Sequence, residues 1–170
     1  MFGSKIAPDA APIDQKSFWF GVGMRATGST VVTAQGAAGP AGFLGLSATH
    51  VSADPPTMLV SVDKRTSALP AMLEAGHFAI NYLSREQNHI ADAFGGKTSA
   101  KGTERFGAGS WGVLTTGAPV LMDCIGAIDC SVSEHIERDG VCIVFGRVRQ
   151  IWDGQRKDPL IHFRGGLLSP

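Results

Sequence analysis

Lys64, Arg65, Thr66 and Ser67 stand in a row where a β-type run, residues 57–63, gives out. Two cations, two hydroxyls and the backbone N–H groups of a strand end suit a ligand phosphate. An earlier run, residues 44–52, is separated from it by the turn formers Asp54, Pro55 and Pro56. Residues 42–68 therefore read as a hairpin that delivers this cluster at one end. Taken alone, a Lys-Arg pair at a strand end reads first as a solvated edge that discourages aggregation.

Other reactive side chains are scattered. The histidines at 50, 77, 89, 135 and 162 are too far apart to form a metal motif, so no metal site is expected. Cys124, Cys130 and Cys142 lack CxxC spacing and lie in apolar β-type runs, where a cysteine acts as a small hydrophobe; they read as reduced core thiols. No triad or paired-carboxylate pattern marks a catalytic residue.

The elements that must carry these groups can be read in order. Residues 1–16 form a loose, Ala- and Pro-rich arm, and residues 17–170 form one domain. Phe18, Val22 and Ala26 recur at helical spacing, with Ser17 as cap and Gly28 as stop. A β-branched strand spans 29–35, and residues 36–40 turn it into the central hairpin. Leu69, Met72 and Leu73 predict a helix after a Ser67 cap, ending near Gly76. Residues 78–83 read as a strand. Ser84 and Gln87 then make a capping-box pattern for a helix that stops at Gly95. The polar stretch 95–109 is a long loop of the kind that is often functional. Strict alternation of Cys124, Ile128, Cys130 and Val132 predicts a strand, with a polar turn over 134–140. A second strand over 141–151 carries Gly146 as a bulge or close-approach point. Short strands, regular turns and two or three helices predict a mainly β Greek-key barrel.

Composition bounds the function. The chain has 170 residues, 44% of them hydrophobic, enough for one sizeable core. Fifteen basic residues balance fifteen acidic ones, so net charge steers it toward neither nucleic acid nor an anionic membrane. No run approaches the roughly 20 apolar residues of a spanning helix, and the N-terminus lacks a signal-peptide pattern. A cytoplasmic protein is expected.

Several pieces occur together in one order: residues 17–32, the Val51-Ser52 turn through Pro56, the Lys64-Arg65-Thr66 end, residues 76–81, the loop 101–106 and the tail 159–165. In this the chain resembles the flavin reductase family, whose fold is a split β-barrel that binds FMN or FAD between two subunits. The resemblance implies that Gly45, Leu46, Ser47 and Ala48 run along the flavin ring and ribityl chain. It places Ser61, Val62, Asp63, Lys64 and Thr66 at the flavin phosphate, with Lys64 supplying charge and Thr66 a hydroxyl. Phe94 and the loop residues Lys101, Arg105 and Phe106 match a segment that closes over the flavin. His162 and Arg164 fall in a tail that borders the nicotinamide site in relatives.

The implied activity is NAD(P)H-dependent reduction of FMN or FAD by a homodimer, with reduced flavin passed to a flavin-dependent monooxygenase or another acceptor. Hydride passes directly between two rings, so the protein must hold them in contact and exclude water, which needs no catalytic side chain. Two departures stand out. Many NADH-using relatives carry Gly-Asp-His where this chain has Asp139-Gly140-Val141, and Leu44 and Leu46 replace residues that often bear hydroxyl or amide groups. They leave open two alternatives: a protein that holds FMN tightly and uses another donor or acceptor, and a dimeric barrel that no longer binds flavin.

Overall fold

The structure, a computed structural model, describes residues 11–168. Most of the expected N-terminal arm therefore lies outside the described residues. Helix α1, Gln15–Gly23, starts one turn earlier than its apolar spacing predicts. Asp14 is the cap: its carboxylate accepts hydrogen bonds from the Ser17 N–H at 2.8 Å and the Ser17 hydroxyl at 3.1 Å. The helix stops at Gly23, not Gly28, because strand β1, Thr27–Gly28, is drawn into pairing with Ile161 and His162.

The fold is mainly β, a split barrel built on one seven-stranded antiparallel sheet. Strands β2 (Thr30–Gly36), β3 (Gly39–Leu44), β4 (Thr49–Ala53) and β5 (Pro56–Asp63) precede helix α2 (Ala68–Ala75) and strand β6 (His77–Tyr82). After helix α3 (Asn88–Phe94) come the short pair β7 (Trp111–Val113) and β8 (Pro119–Leu121). The long hairpin β9 (Gly126–Arg138) and β10 (Val141–Asp153) follows, then β11 (Ile161–Phe163) and β12 (Gly166–Leu168). The large sheet has the order β3-β2-β6-β9-β10-β5-β4, while β1, β11 and β12 form a separate small sheet.

Local chemistry explains the boundaries. The capping box at Ser84 is present: the Ser84 N–H donates to Gln87 Oε1 at 3.0 Å and opens a short 3₁₀ turn that runs on into α3. The polar stretch 134–140 is not a turn. Glu134 to Arg138 stay paired with β10 although both faces are exposed, and only Asp139 and Gly140 turn the chain. Polar composition there marks a strand that has run past the core.

Val32, Val60, Val62, Met72, Phe78, Ile80, Cys130 and Val144 form the main core cluster. Their alternation on β2, β5, β6, β9 and β10 puts every second side chain on one sheet face, where burial supplies roughly 25 cal/mol per Å² of apolar area. A buried amide ties three strands together. Asn81 donates to the Val31 carbonyl at 3.0 Å and to Thr33 Oγ1 at 3.2 Å, and accepts the Leu121 N–H at 2.8 Å.

Gly146 sits at a register shift between β9 and β10, as its place in the strand predicts. A Cβ there would stand 2.4 Å from Phe78 Cζ and 2.8 Å from Cys130 Cβ. Gly146→Val should therefore destabilise the fold by about 2–3 kcal/mol, read as a lower urea midpoint with an unchanged slope. An unshifted midpoint would show that Phe78 yields freely.

Candidate functional site

The ends of β3 and β5, the start of β10, helix α1 and the small sheet enclose a cavity of about 670 Å³. One set of lining residues comes from the β3–β4 link: Phe43, Leu44, Gly45, Leu46 and Ser47. This link is held to β2 by two hydrogen bonds, from the Gly45 N–H to the Thr30 carbonyl at 2.8 Å and from Thr30 Oγ1 to the Gly45 carbonyl. Ser47 is used structurally: its hydroxyl donates to the Ser61 carbonyl at 2.9 Å and accepts the Ser61 N–H at 3.1 Å.

Ser61, Asp63 and Thr66 line the cavity at the end of β5. Ser61 Oγ and Thr66 Oγ1 make no hydrogen bond among the described residues, which leaves both hydroxyls for a ligand. The two cations beside them are engaged. Lys64 Nζ lies 2.6 Å from Glu137 Oε2, and Arg65 Nη2 lies 2.7 Å from Asp63 Oδ2. The backbone N–H groups are also taken: Lys64 donates to the Gly140 carbonyl, Arg65 to the Asp63 carboxylate and Thr66 to the Asp63 carbonyl. A strand end read from sequence as a bare cationic cradle is thus a neutralised one that offers hydroxyls.

Phe94 and Gly95 line the cavity next to the β3–β4 link. The Phe94 ring packs on the backbone of β3, so closely that a Cβ on Gly42 would stand 2.7 Å from Phe94 Cε1. Phe106 and Trp111 hold it from behind, with ring centroids 5.0 and 5.7 Å from that of Phe94. Arg105 spans the loop, donating to the Ala100 and Gly42 carbonyls at 3.4 Å each. Arg105 and Phe106 therefore fasten the 95–109 loop to β3, and neither they nor Lys101 line the cavity. Ala48 packs against the main core and Val62 is buried in it.

His162 and Gly165 line the cavity from the small sheet. Arg164 does not; its N–H donates to the Gly23 carbonyl at 2.9 Å and its guanidinium lies 5.4 Å from the centroid of the Phe163 ring. Val141, paired with Asp63, also lines the cavity, so the position where many relatives place a histidine carries an apolar side chain here.

Sequence reasoning missed the contribution of α1 and β1: Trp19, Val22, Arg25 and Thr27 line the cavity as well. The available signal was aromatic crowding, since Phe18, Trp19 and Phe20 make a helix apolar on all sides, which a solvated arm has no reason to carry. The three thiols take no part. Burial pushes Cys124 up to about 11, Cys130 up to about 12, and Cys142 above its ordinary value. Among the described residues no group of three His, Cys, Asp or Glu side chains could hold a metal ion.

Residues 23–169 match the model of the flavin reductase like domain. The FMN reductase (NADH) RutF of Agrobacterium fabrum is 42% identical over 132 residues, 76% of this chain and 75% of its own length. The flavin reductase PheA2 superposes with a TM-score of 0.84 at 25% identity, covering 93% of this chain and 99% of its own. BorF, the flavin reductase component of a bacterial two-component tryptophan halogenase, gives 0.83 at 28% identity, covering 91% and 97%.

The Asp63 carboxylate is held well down, at about 2, first by the hydrogen bonds from the Arg65 side chain and then by that from its N–H. Its contribution to stability is fully present above the ordinary value of 3.8 and is lost as pH falls through about 2. A carboxyl NMR titration should place its midpoint near 2, and Arg65→Ala should move the midpoint up toward 3.8. An unmoved midpoint in that variant would show that Arg65 does not hold the carboxylate.

Proposed function

The chain belongs to the flavin reductase like family, and from that premise we propose that it is an NAD(P)H:flavin oxidoreductase acting on FMN or FAD. The observation that carries this reading is the cavity itself. Its volume of about 670 Å³ lies within the range of small-ligand and cofactor sites, and its lining is mostly apolar with a few hydroxyls at one strand end. A flat ring with a phosphorylated polar chain fits that distribution of groups.

Ser61 and Thr66 would hold the flavin phosphate through their hydroxyls, and the Gly45 to Ser47 link would support the ring. Lys64 reaches a phosphate only by leaving Glu137, so its charge acts from the side. Phe94, braced by Phe106 and Trp111, keeps the ring's surroundings dry. When bound, flavin supplies a ring that accepts hydride from a reduced nicotinamide. The chain's own task is to hold both ligands in contact and exclude water.

Val141 favours a second reading, in which FMN is held firmly and another compound supplies the electrons, because the side chain at that position offers a nicotinamide no polar group. Two further features belong to the proposal. Ile13, Phe18, Phe20 and Met24 are each more than half exposed, and α1 buries no residue against the other described residues, which supports a homodimer that covers this face. BorF serves a two-component halogenase, and the similar nitrilotriacetate monooxygenase component B of Mycobacterium thermoresistibile is named for a monooxygenase, which supports a flavin-dependent monooxygenase as acceptor of the reduced flavin. The match over 23–169 supports one domain across residues 17–170. No helix among the described residues is long and apolar enough to cross a membrane.

Anaerobic titration of the FMN-loaded protein with NADH should bleach the flavin, with turnover when free FMN is added. Bleaching by dithionite alone would favour the second reading. Thr66→Val should weaken FMN binding roughly tenfold, the scale of one charge-assisted hydrogen bond, and leave riboflavin binding nearly unchanged. Equal losses for both flavins would remove Thr66 from the phosphate. Sedimentation equilibrium should give twice the chain mass for the wild type and a shift toward the single-chain mass for Phe20→Asp; a monomeric wild type would refute the dimer.

A further inference from the structure

Among the described residues, Arg25 is the one arginine or lysine that lines the cavity. Its neighbours at the β5 end are neutralised, Lys64 by Glu137 and Arg65 by Asp63, whereas the Arg25 guanidinium makes no ion pair or hydrogen bond among the described residues. Its backbone, by contrast, is fixed. The Arg25 N–H donates to the Val22 carbonyl at 3.3 Å, and the Gly23 carbonyl just before it accepts the Arg164 N–H. Thr27, two residues on, pairs with His162. The segment that carries Arg25 is therefore seated on the small sheet by hydrogen bonds at both sides.

Trp19 lines the same cavity from α1 and remains 60% exposed. A large indole left open in the same cavity as an unpaired guanidinium is a combination that binds a planar base with a phosphate attached. The β5 end, where Arg65 is paired with Asp63 and Lys64 with Glu137, offers no uncommitted cation to a second phosphate beyond the one proposed for Ser61 and Thr66. Arg25, the one unpaired arginine or lysine lining the cavity among the described residues, lies instead on the link between α1 and β1.

We propose that Trp19 and Arg25 form a subsite for the phosphorylated nucleotide part of the hydride donor, with Arg25 pairing a phosphate of the dinucleotide and Trp19 stacking on its base. The proposal rests on the oxidoreductase reading and deepens it, by separating a flavin-phosphate end built of hydroxyls from a donor-phosphate end built of a cation and an indole. It also offers a place for the donor that does not need a histidine at position 141.

NAD⁺ binding to the FMN-loaded protein tests this without turnover, because neither ligand reduces the other. In isothermal titration calorimetry, Arg25→Gln should raise the Kd for NAD⁺ about tenfold, as expected for loss of one charge-assisted pair. Arg25→Lys should recover most of that loss, and Trp19→Ala should also weaken NAD⁺ roughly tenfold, the scale of one base–aromatic stack. All three variants should bind FMN within about twofold of the wild type. A rise in the Kd for FMN with that for NAD⁺ unchanged would assign the subsite to the flavin phosphate and overturn the proposal. Unchanged affinities for both, or a wild type that binds no NAD⁺, would overturn it equally. A wild type that binds NAD⁺ through Arg25 yet transfers no hydride from NADH to FMN would refute the reductase reading alone.

Discussion

The close approach of β10 to β6 and β9 at Gly146 is the constraint on which the rest of the structure depends. The seven-stranded sheet joins its two halves through β9 and β10, since β3, β2 and β6 lie on one side of that hairpin and β5 and β4 on the other. Gly146 gives Phe78 the space to fill the main core where the β9–β10 register shifts. Such a shift adds local twist and bends the strand, so a sheet of this width can curl over its own apolar face. Asn81 fastens the same region from β6, satisfying its whole amide with groups on β2, β8 and the Thr33 side chain. Buried polar groups that are fully paired fix a unique register, and here they fix the strands whose ends form the cavity.

The cavity follows from that curvature, because β3 and β5 end at one side and the links between strands must cross there. The β3–β4 link is pinned to β2 by Gly45 and Thr30, and the Phe94, Phe106 and Trp111 rings close the space behind it. Pairing of Lys64 and Arg65 with acidic neighbours lowers the net charge of the β5 end without removing its hydroxyls. A phosphate placed there would meet the Ser61 and Thr66 hydroxyls beside charges that are already paired, so affinity would have to come from ring burial as much as from charge. That balance would suit a reductase that releases its flavin as well as binding it.

Most of the fold was legible because its signals are local. Alternation found β9, and β-type runs bounded by turn residues found β5 and β10; the Gly146 bulge and the Ser84 capping box followed from residue type and position alone. The errors have physical causes. Residues 134–138 read as a turn because they are polar, yet pairing with β10 holds them extended where no core requires an apolar face. Helix α1 was extended to Gly28 because spacing cannot show that Thr27 and Gly28 pair with a strand more than a hundred residues away. The cavity lining was legible along the β3–β5 segment and at His162. Lys101, Arg105 and Phe106 do not line it: Arg105 and Phe106 hold the loop to β3, which residue type does not reveal, while Trp19 and Arg25 reach the cavity only through tertiary structure.

Helix α1 is the least supported α-helix among the described residues. It has nine residues and buries none of them within one chain, and isolated helices of that length are marginal in water. Its visible attachments are the Asp14 cap at one end and the Arg164 hydrogen bond to Gly23 at the other. Neither supplies the apolar burial that normally stabilises a helix of this composition. A second copy over Phe18 and Phe20, or a ligand under Trp19, would supply such contacts. Docking on one face would order the other, so assembly and ligand binding would act on the same helix and reinforce each other.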